Sequence, residues 1–138
     1  MACPFFMPAG RLDQGAWAPA PRLPLGDPYS GACHAHPSEV FEPGEAAQRD
    51  LCNCGYARGR CAHFPDDSPA DAVRFSVTGD EAGRVRLVYI IERNHSPAEH
   101  GLLEYAVDEE RLVNGHTSEI LARQARAFVE SYLKRRVA

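Results

Sequence analysis

The sequence predicts an α+β protein: a small antiparallel sheet of about three strands, covered by a C-terminal helix and preceded by a long loop-rich half that holds the cysteines and prolines. Three observations predict this. Ten of the eleven prolines and seven of the eleven glycines lie within residues 1–70, apolar alternation begins at residue 72, and a helical stripe begins after residue 117. At 138 residues, 44% hydrophobic and 25% charged, the chain has an ordinary globular composition. It reads as a single domain, with 1–70 as the loop-rich half and 71–138 as the regular half.

Proline fixes φ and lacks an N–H, which excludes long helices and central strands from residues 1–70. One short helix is expected over "PGEAAQRDL", residues 43–51, with proline and glutamate at its start and Cys52 at its end. "SPADA", residues 68–72, reads as a further turn capped by Ser68. In "AVRFSVT", residues 72–78, Val73, Phe75 and Val77 alternate with Arg74, Ser76 and Thr78, the period of a half-buried strand. "GDEAG", residues 79–83, reads as a hairpin loop. "RVRLVYIIER", residues 84–93, is apolar on both faces and predicts the central strand, and "LLEYAV", residues 102–107, predicts a third. From Thr117, the expected cap, Leu121, Ala125, Phe128, Val129 and Tyr132 form one helical stripe. Glu119, Arg123, Arg126, Glu130 and Lys134 lie opposite, with Glu130 and Lys134 spaced for an i, i+4 pair.

The net charge of −4 is spread evenly, with 5 basic and 8 acidic side chains in residues 1–70 and 10 and 11 in the remainder. No basic stripe exists to track a polyanion, which argues against nucleic-acid binding. The proline-broken start lacks the apolar core of a secretory signal, and no stretch approaches the roughly 20 apolar residues that cross a bilayer. A cytoplasmic protein without membrane contact is expected, in a compartment where thiols stay reduced. Trp17, the lone tryptophan, is expected to anchor the proline-rich arm.

All five cysteines, Cys3, Cys33, Cys52, Cys54 and Cys61, fall in the loop-rich half. No CxxC pair is present, and zinc sites favour such short paired spacings. Cys52 and Cys54 are too close to converge easily on one centre, so one of the two is expected to be a ligand. Four cysteines then remain, the complement of a 4Fe-4S cluster, which accepts thiolates from separate loops because its four irons are separate. Pro4 follows Cys3 as proline follows a ligand in bacterial ferredoxin runs. Arg58 and Arg60 are candidate cofactor-binding residues that offset cluster charge, and Gly55 and Gly59 would admit backbone N–H groups to sulfur.

"CPFF" at the start, "PLGDPYSGAC" at residues 24–33 and "CNCGYARGRCAHFP" at residues 52–65 resemble a group of small uncharacterised bacterial proteins. The resemblance covers the first half and implies no activity. In it Cys3, Cys33, Cys52 and Cys61 match the pattern and Cys54 stands at a variable place, which implies Cys52 as the ligand of the close pair.

The rival reading is a zinc-stabilised interaction module with mixed ligands such as Cys33, His36, Cys52 and Cys61. A thiol-dependent enzyme would pair Cys54 or Cys61 with His63, its thiol activated by the neighbouring arginines. "GYARGR" lacks the spacing of a phosphate-binding loop. His95, His100 and Glu99 or Glu104 invite a facial metal set, but Ser96, Pro97 and Gly101 read as a turn, where exposed polar residues are normal. With all four irons capped by cysteine, the cluster reading favours a structural or electron-transfer role, with a redox or other protein partner, over catalysis. An uncovered sheet edge would also allow a homodimer.

Overall fold

The computed structural model describes residues 2–12, 24–36, 38–53, 56–113, 116 and 118–137. Trp17, Cys54, Gly55 and Thr117 lie outside the described residues, and so do the expectations placed on them.

The chain is α+β with antiparallel sheets and a C-terminal helix, but it builds two sheets, of two and four strands, where one sheet of three is expected. The small sheet pairs β1 (Phe6–Arg11) with β2 (Tyr29–Cys33), placing Phe6 opposite Cys33 and Arg11 opposite Tyr29. Its strands escape the sequence pattern because Pro8 and Gly10 interrupt the first and Gly31 the second. Pro8 is tolerated because the register shifts between Pro8 and Gly10, a bulge where a missing donor costs little. Gly31 is required: a Cβ there would run into the Met7 carbonyl oxygen and lie 2.9 Å from the Phe6 ring.

The expected helix appears as α1 (Glu45–Ala47) running into a π-helical turn, Gln48–Cys52. "SPADA" forms no helix. Ser68 Oγ instead accepts from Ala70 N–H at 3.2 Å and donates to the Ala70 carbonyl at 2.7 Å, closing its own turn just before the next strand.

The large sheet runs in sequence order, β3 (Ala72–Glu81), β4 (Arg84–Arg93), β5 (Ser96–Ala106) and β6 (Arg111–Leu112). β4 matches the predicted span to the residue. The expected loop at 79–83 shrinks to Ala82 and Gly83, both at positive φ, because Gly79 marks a bulge and not a turn, so Asp80 and Glu81 still pair with Val85 and Arg84. Likewise, the polar stretch before residue 102 is strand. The turn is Asn94 and His95, both with positive φ, and Pro97 sits at the register shift between Ile91 and Glu92.

α2 (Glu119–Val137) starts at Ser118, whose Oγ accepts from Leu121 N–H at 3.2 Å. The predicted stripe holds: Leu121, Ala125 and Val129 are buried, Phe128 stacks on Phe75 of β3 with ring centres 5.6 Å apart, and Tyr132 donates to Asp80 at 2.7 Å. The predicted polar positions are exposed, but Glu130 takes Arg126 at 3.0 Å as its i, i+4 partner instead of Lys134. A second buried face of Gln124, Ala127 and Ser131 has no apolar signature. It packs on the small sheet, where Tyr29 hydroxyl donates to the Ala127 carbonyl at 2.8 Å and lies 2.7 Å from Ser131 Oγ. α2 therefore touches both sheets, and one apolar cluster joins Cys3 and Cys52 to strand and helix residues of the second half. Among the described residues, no helix is long and apolar enough to cross a membrane.

Candidate metal centre

Four segments converge on one cavity. Cys3 lies in a turn that Pro4 suits, closed by Phe6 N–H donating to the Cys3 carbonyl at 3.1 Å. Its neighbour Ala2 is clamped to Val73 of β3 by reciprocal backbone hydrogen bonds of 2.8 Å. Cys33 ends β2, opposite Phe6, and its N–H donates to the Phe41 carbonyl at 2.7 Å. Cys52 closes the π-helical turn, and its carbonyl accepts Cys3 N–H at 3.0 Å. Cys61 sits in a turn between buried Ala57 and Phe64, its N–H donating to the Ala57 carbonyl at 2.7 Å. Cys3, Cys33 and Cys52 are buried and Cys61 is half-buried.

These four cysteines, the ones singled out by sequence, line a single partly enclosed cavity of about 130 Å³ together with Phe6, Phe41, Leu51, Ala57 and His63. An engineered apolar cavity of ~150 Å³ takes up a benzene ring, so this volume suits a polyatomic group. Among the described residues, no three His, Cys, Asp or Glu side chains are grouped closely enough to hold a single metal ion. That holds for the mixed set of Cys33, His36, Cys52 and Cys61, for the set around His95, His100 and Glu104, and for the four cysteines of the cavity alike. His95 instead stacks on Tyr56 at 4.1 Å and Glu99 accepts the Tyr89 hydroxyl at 3.1 Å.

The electrostatics of the cavity follow from its walls. Burial pushes the Cys3 and Cys52 thiols up to about 12, with the neighbouring cysteines adding to the rise, and burial also raises Cys33. Opposing this, the nearby backbone N–H groups of Phe5 and Phe6 lower the Cys3 thiol, and that of Ala35 lowers the Cys33 thiol. The described wall residues include no lysine, arginine or carboxylate. Thiolates there lack a charged side chain to offset them, and only the nearby backbone N–H groups favour them.

Neither Arg58 nor Arg60 is among the residues lining the cavity. Arg58 is committed elsewhere: its guanidinium pairs with buried Asp71, donates to the Asp66 carbonyl at 2.9 Å and the Ser68 carbonyl at 2.7 Å, and lies 4.9 Å over Phe64. Phe64 in turn meets Phe5 edge-on at 5.5 Å, so Arg58 braces the loop that carries Cys61 against the turn that carries Cys3. Arg60 is exposed.

Three positioning residues escape the sequence reading. Gln48 Nε2 donates to the Pro43 carbonyl at 2.6 Å while its Oε1 accepts Gly31 N–H at 3.3 Å. Asn53 accepts Tyr29 N–H at 3.1 Å and donates to the Tyr29 and Gln48 carbonyls at 3.0 and 2.8 Å. Together they lock the helical turn ending at Cys52 to the strand ending at Cys33. Gln124 of α2 donates to the Cys3 and Phe6 carbonyls at 2.8 and 2.7 Å. Each is a buried amide in a polar stretch, and only the fold reveals that it is buried. Compared with protein-family models, curated proteins and solved structures, the chain matches none.

Proposed function

We propose that this protein binds a 4Fe-4S cluster through Cys3, Cys33, Cys52 and Cys61, in a structural or electron-transfer role. The observation that carries the reading is the meeting of four cysteines from four separate segments around one cavity of about 130 Å³. A single zinc ion draws its ligands to within ~2.3 Å of one point, whereas a cluster accepts thiolates spread around its corners. Backbone N–H groups near Cys3 and Cys33, and aromatic and aliphatic walls, are surroundings of the kind that set a cluster's potential. Four cysteine ligands leave no iron open to substrate, which favours electron exchange with a redox partner or a fold-organising role over catalysis. The reading suits the reducing cytoplasm.

Anaerobic purification followed by an absorption spectrum and metal analysis tests it. A brown protein with iron and acid-labile sulfide in near-equal amounts is expected. Colourless protein with one zinc would replace the cluster with a zinc-stabilised interaction module, and folded, metal-free protein that cannot be reconstituted would remove both. Among variants, Cys52→Ser is expected to lose the cluster and Cys54→Ser to keep it; the reverse would exchange their roles.

A further inference from the structure

The four corners of the site are unequal. Cys3, Cys33 and Cys52 are buried and belong to segments cross-linked by backbone hydrogen bonds: Cys3 to Cys52, Phe6 opposite Cys33, and Cys33 to Phe41. Cys61 is half-buried in a turn outside any strand or helix, and Gly59, Arg60, Ala62 and His63 around it are all exposed. Cys3, Cys33 and Cys52 are each less than a tenth exposed, whereas Cys61 is not buried. His63, the one imidazole among the described cavity-lining residues, stands at the same mouth, in ring contact with Phe41 at 4.6 Å. Solvent, oxidants and iron therefore reach the site at the Cys61 corner first.

Resting on the cluster reading above, we infer that the iron held by Cys61 is an exchangeable one, and that the site is a three-iron/four-iron switch responsive to one-electron oxidants and to ferrous iron. The step balances. A [4Fe-4S]²⁺ cluster gives one electron to the oxidant and releases Fe²⁺, leaving [3Fe-4S]⁺ on Cys3, Cys33 and Cys52. The Fe–S bond to Cys61 and the bonds from that iron to three sulfides break, and the freed Cys61 thiolate takes a proton from water. Ferrous iron and one electron from a reductant reverse it. The rigid three-cysteine frame keeps the remaining core in place during the exchange.

The test uses the full chain, reconstituted anaerobically and titrated with ferricyanide. EPR is expected to show a three-iron signal as a ferrous chelator captures one iron per cluster, and ferrous iron with dithionite is expected to restore the original spectrum. Iodoacetamide mass mapping is expected to show Cys61 alkylation rising on oxidation while Cys3, Cys33 and Cys52 stay protected. Cys61→Ser is expected to retain sulfide and a three-iron cluster, in contrast to Cys52→Ser. Loss of all four irons together, or equal alkylation of the four cysteines, overturns the inference and leaves the cluster reading standing. Wild-type protein that takes up neither iron nor sulfide overturns both. Because the oxidation and alkylation readouts need no variant, a misfolded Cys61→Ser chain does not blur the result.

Discussion

Gln124 brings no charge and no reactive atom to the cysteine-lined cavity, yet its amide nitrogen holds two carbonyls of the turn that carries Cys3. Gln124→Leu takes this donor from the Phe6 carbonyl and leaves the Cys3 carbonyl with the Phe6 N–H alone, and a loss of about 1–3 kcal/mol is expected in denaturant unfolding. Asp71 and Glu92 set a pH window for the same region. At Asp71 burial pushes the carboxyl up, but the Asn94 amide and Arg58 outweigh it and hold it below its ordinary value. At Glu92 the Tyr56 hydroxyl and Arg74 hold it low against burial. A depressed folded value stabilises above the unfolded one, so this contribution is expected to fade as pH falls below about 4. Tyr56, pushed up to about 12 by burial and Glu92, has the opposite sign: its contribution fades as pH rises from about 10 towards 12. Thermal melts across pH check both limbs, and Asp71→Asn should flatten only the acid one. The meeting of the four cysteines around one cavity was legible, because their count and spacing singled them out. Gln48, Asn53, Gln124 and Asp71 were not, because a polar side chain's burial depends on partners as far as 17, 24, 121 and 23 residues away, respectively.

At the scale of elements, α2 and β4 are the most legible parts, since apolar residues recur in them with the helical period or without interruption. The small sheet is illegible for the converse reason. Its strands have five or six residues, contain Pro8, Gly10 and Gly31, and gain their hydrogen bonds only by pairing across an intervening stretch of 17 residues, 12–28. Gly31→Ala tests how far the site depends on that sheet. The added Cβ meets the Met7 backbone, which cannot yield as a flexible side chain would, so β1 and β2 are expected to separate and displace Cys33. A lowered melting midpoint together with loss of bound iron is the expected result. By comparison, Gly79→Ala, away from the cavity and where a Cβ makes only ordinary contacts with the Arg86 side chain, should leave both unchanged. The hairpin ends show a related limit. Turn chemistry points to Gly79 and to Ser96–Pro97, but the chain bulges at both and turns at Ala82–Gly83 and Asn94–His95 instead.

Across the whole molecule, one apolar cluster spans both halves, but the cysteine-lined cavity draws only on the first, from Cys3 to His63. The proposed iron–sulfur cluster would close a long loop of otherwise irregular chain, the arrangement in which a cross-link most restricts the unfolded ensemble. Removing it with chelator and reductant is expected to lower the melting midpoint by on the order of 10 °C, taking ~4 kcal/mol for a loop of this length. Hydrogen exchange should localise the loss: amides of β1, β2 and the Cys52 turn are expected to open, while β3, β4 and β5 keep their protection. Uniform loosening of the large sheet would mean that the second half cannot hold itself together. The hydrogen bonds from Gln124 to the Cys3 turn also impose an order in time. A ribosome makes Cys3 121 positions before Gln124. The nascent chain therefore carries Cys3 without this cradle until α2 emerges. Chains truncated before α2 are expected to leave the Cys3 thiol open to oxidation.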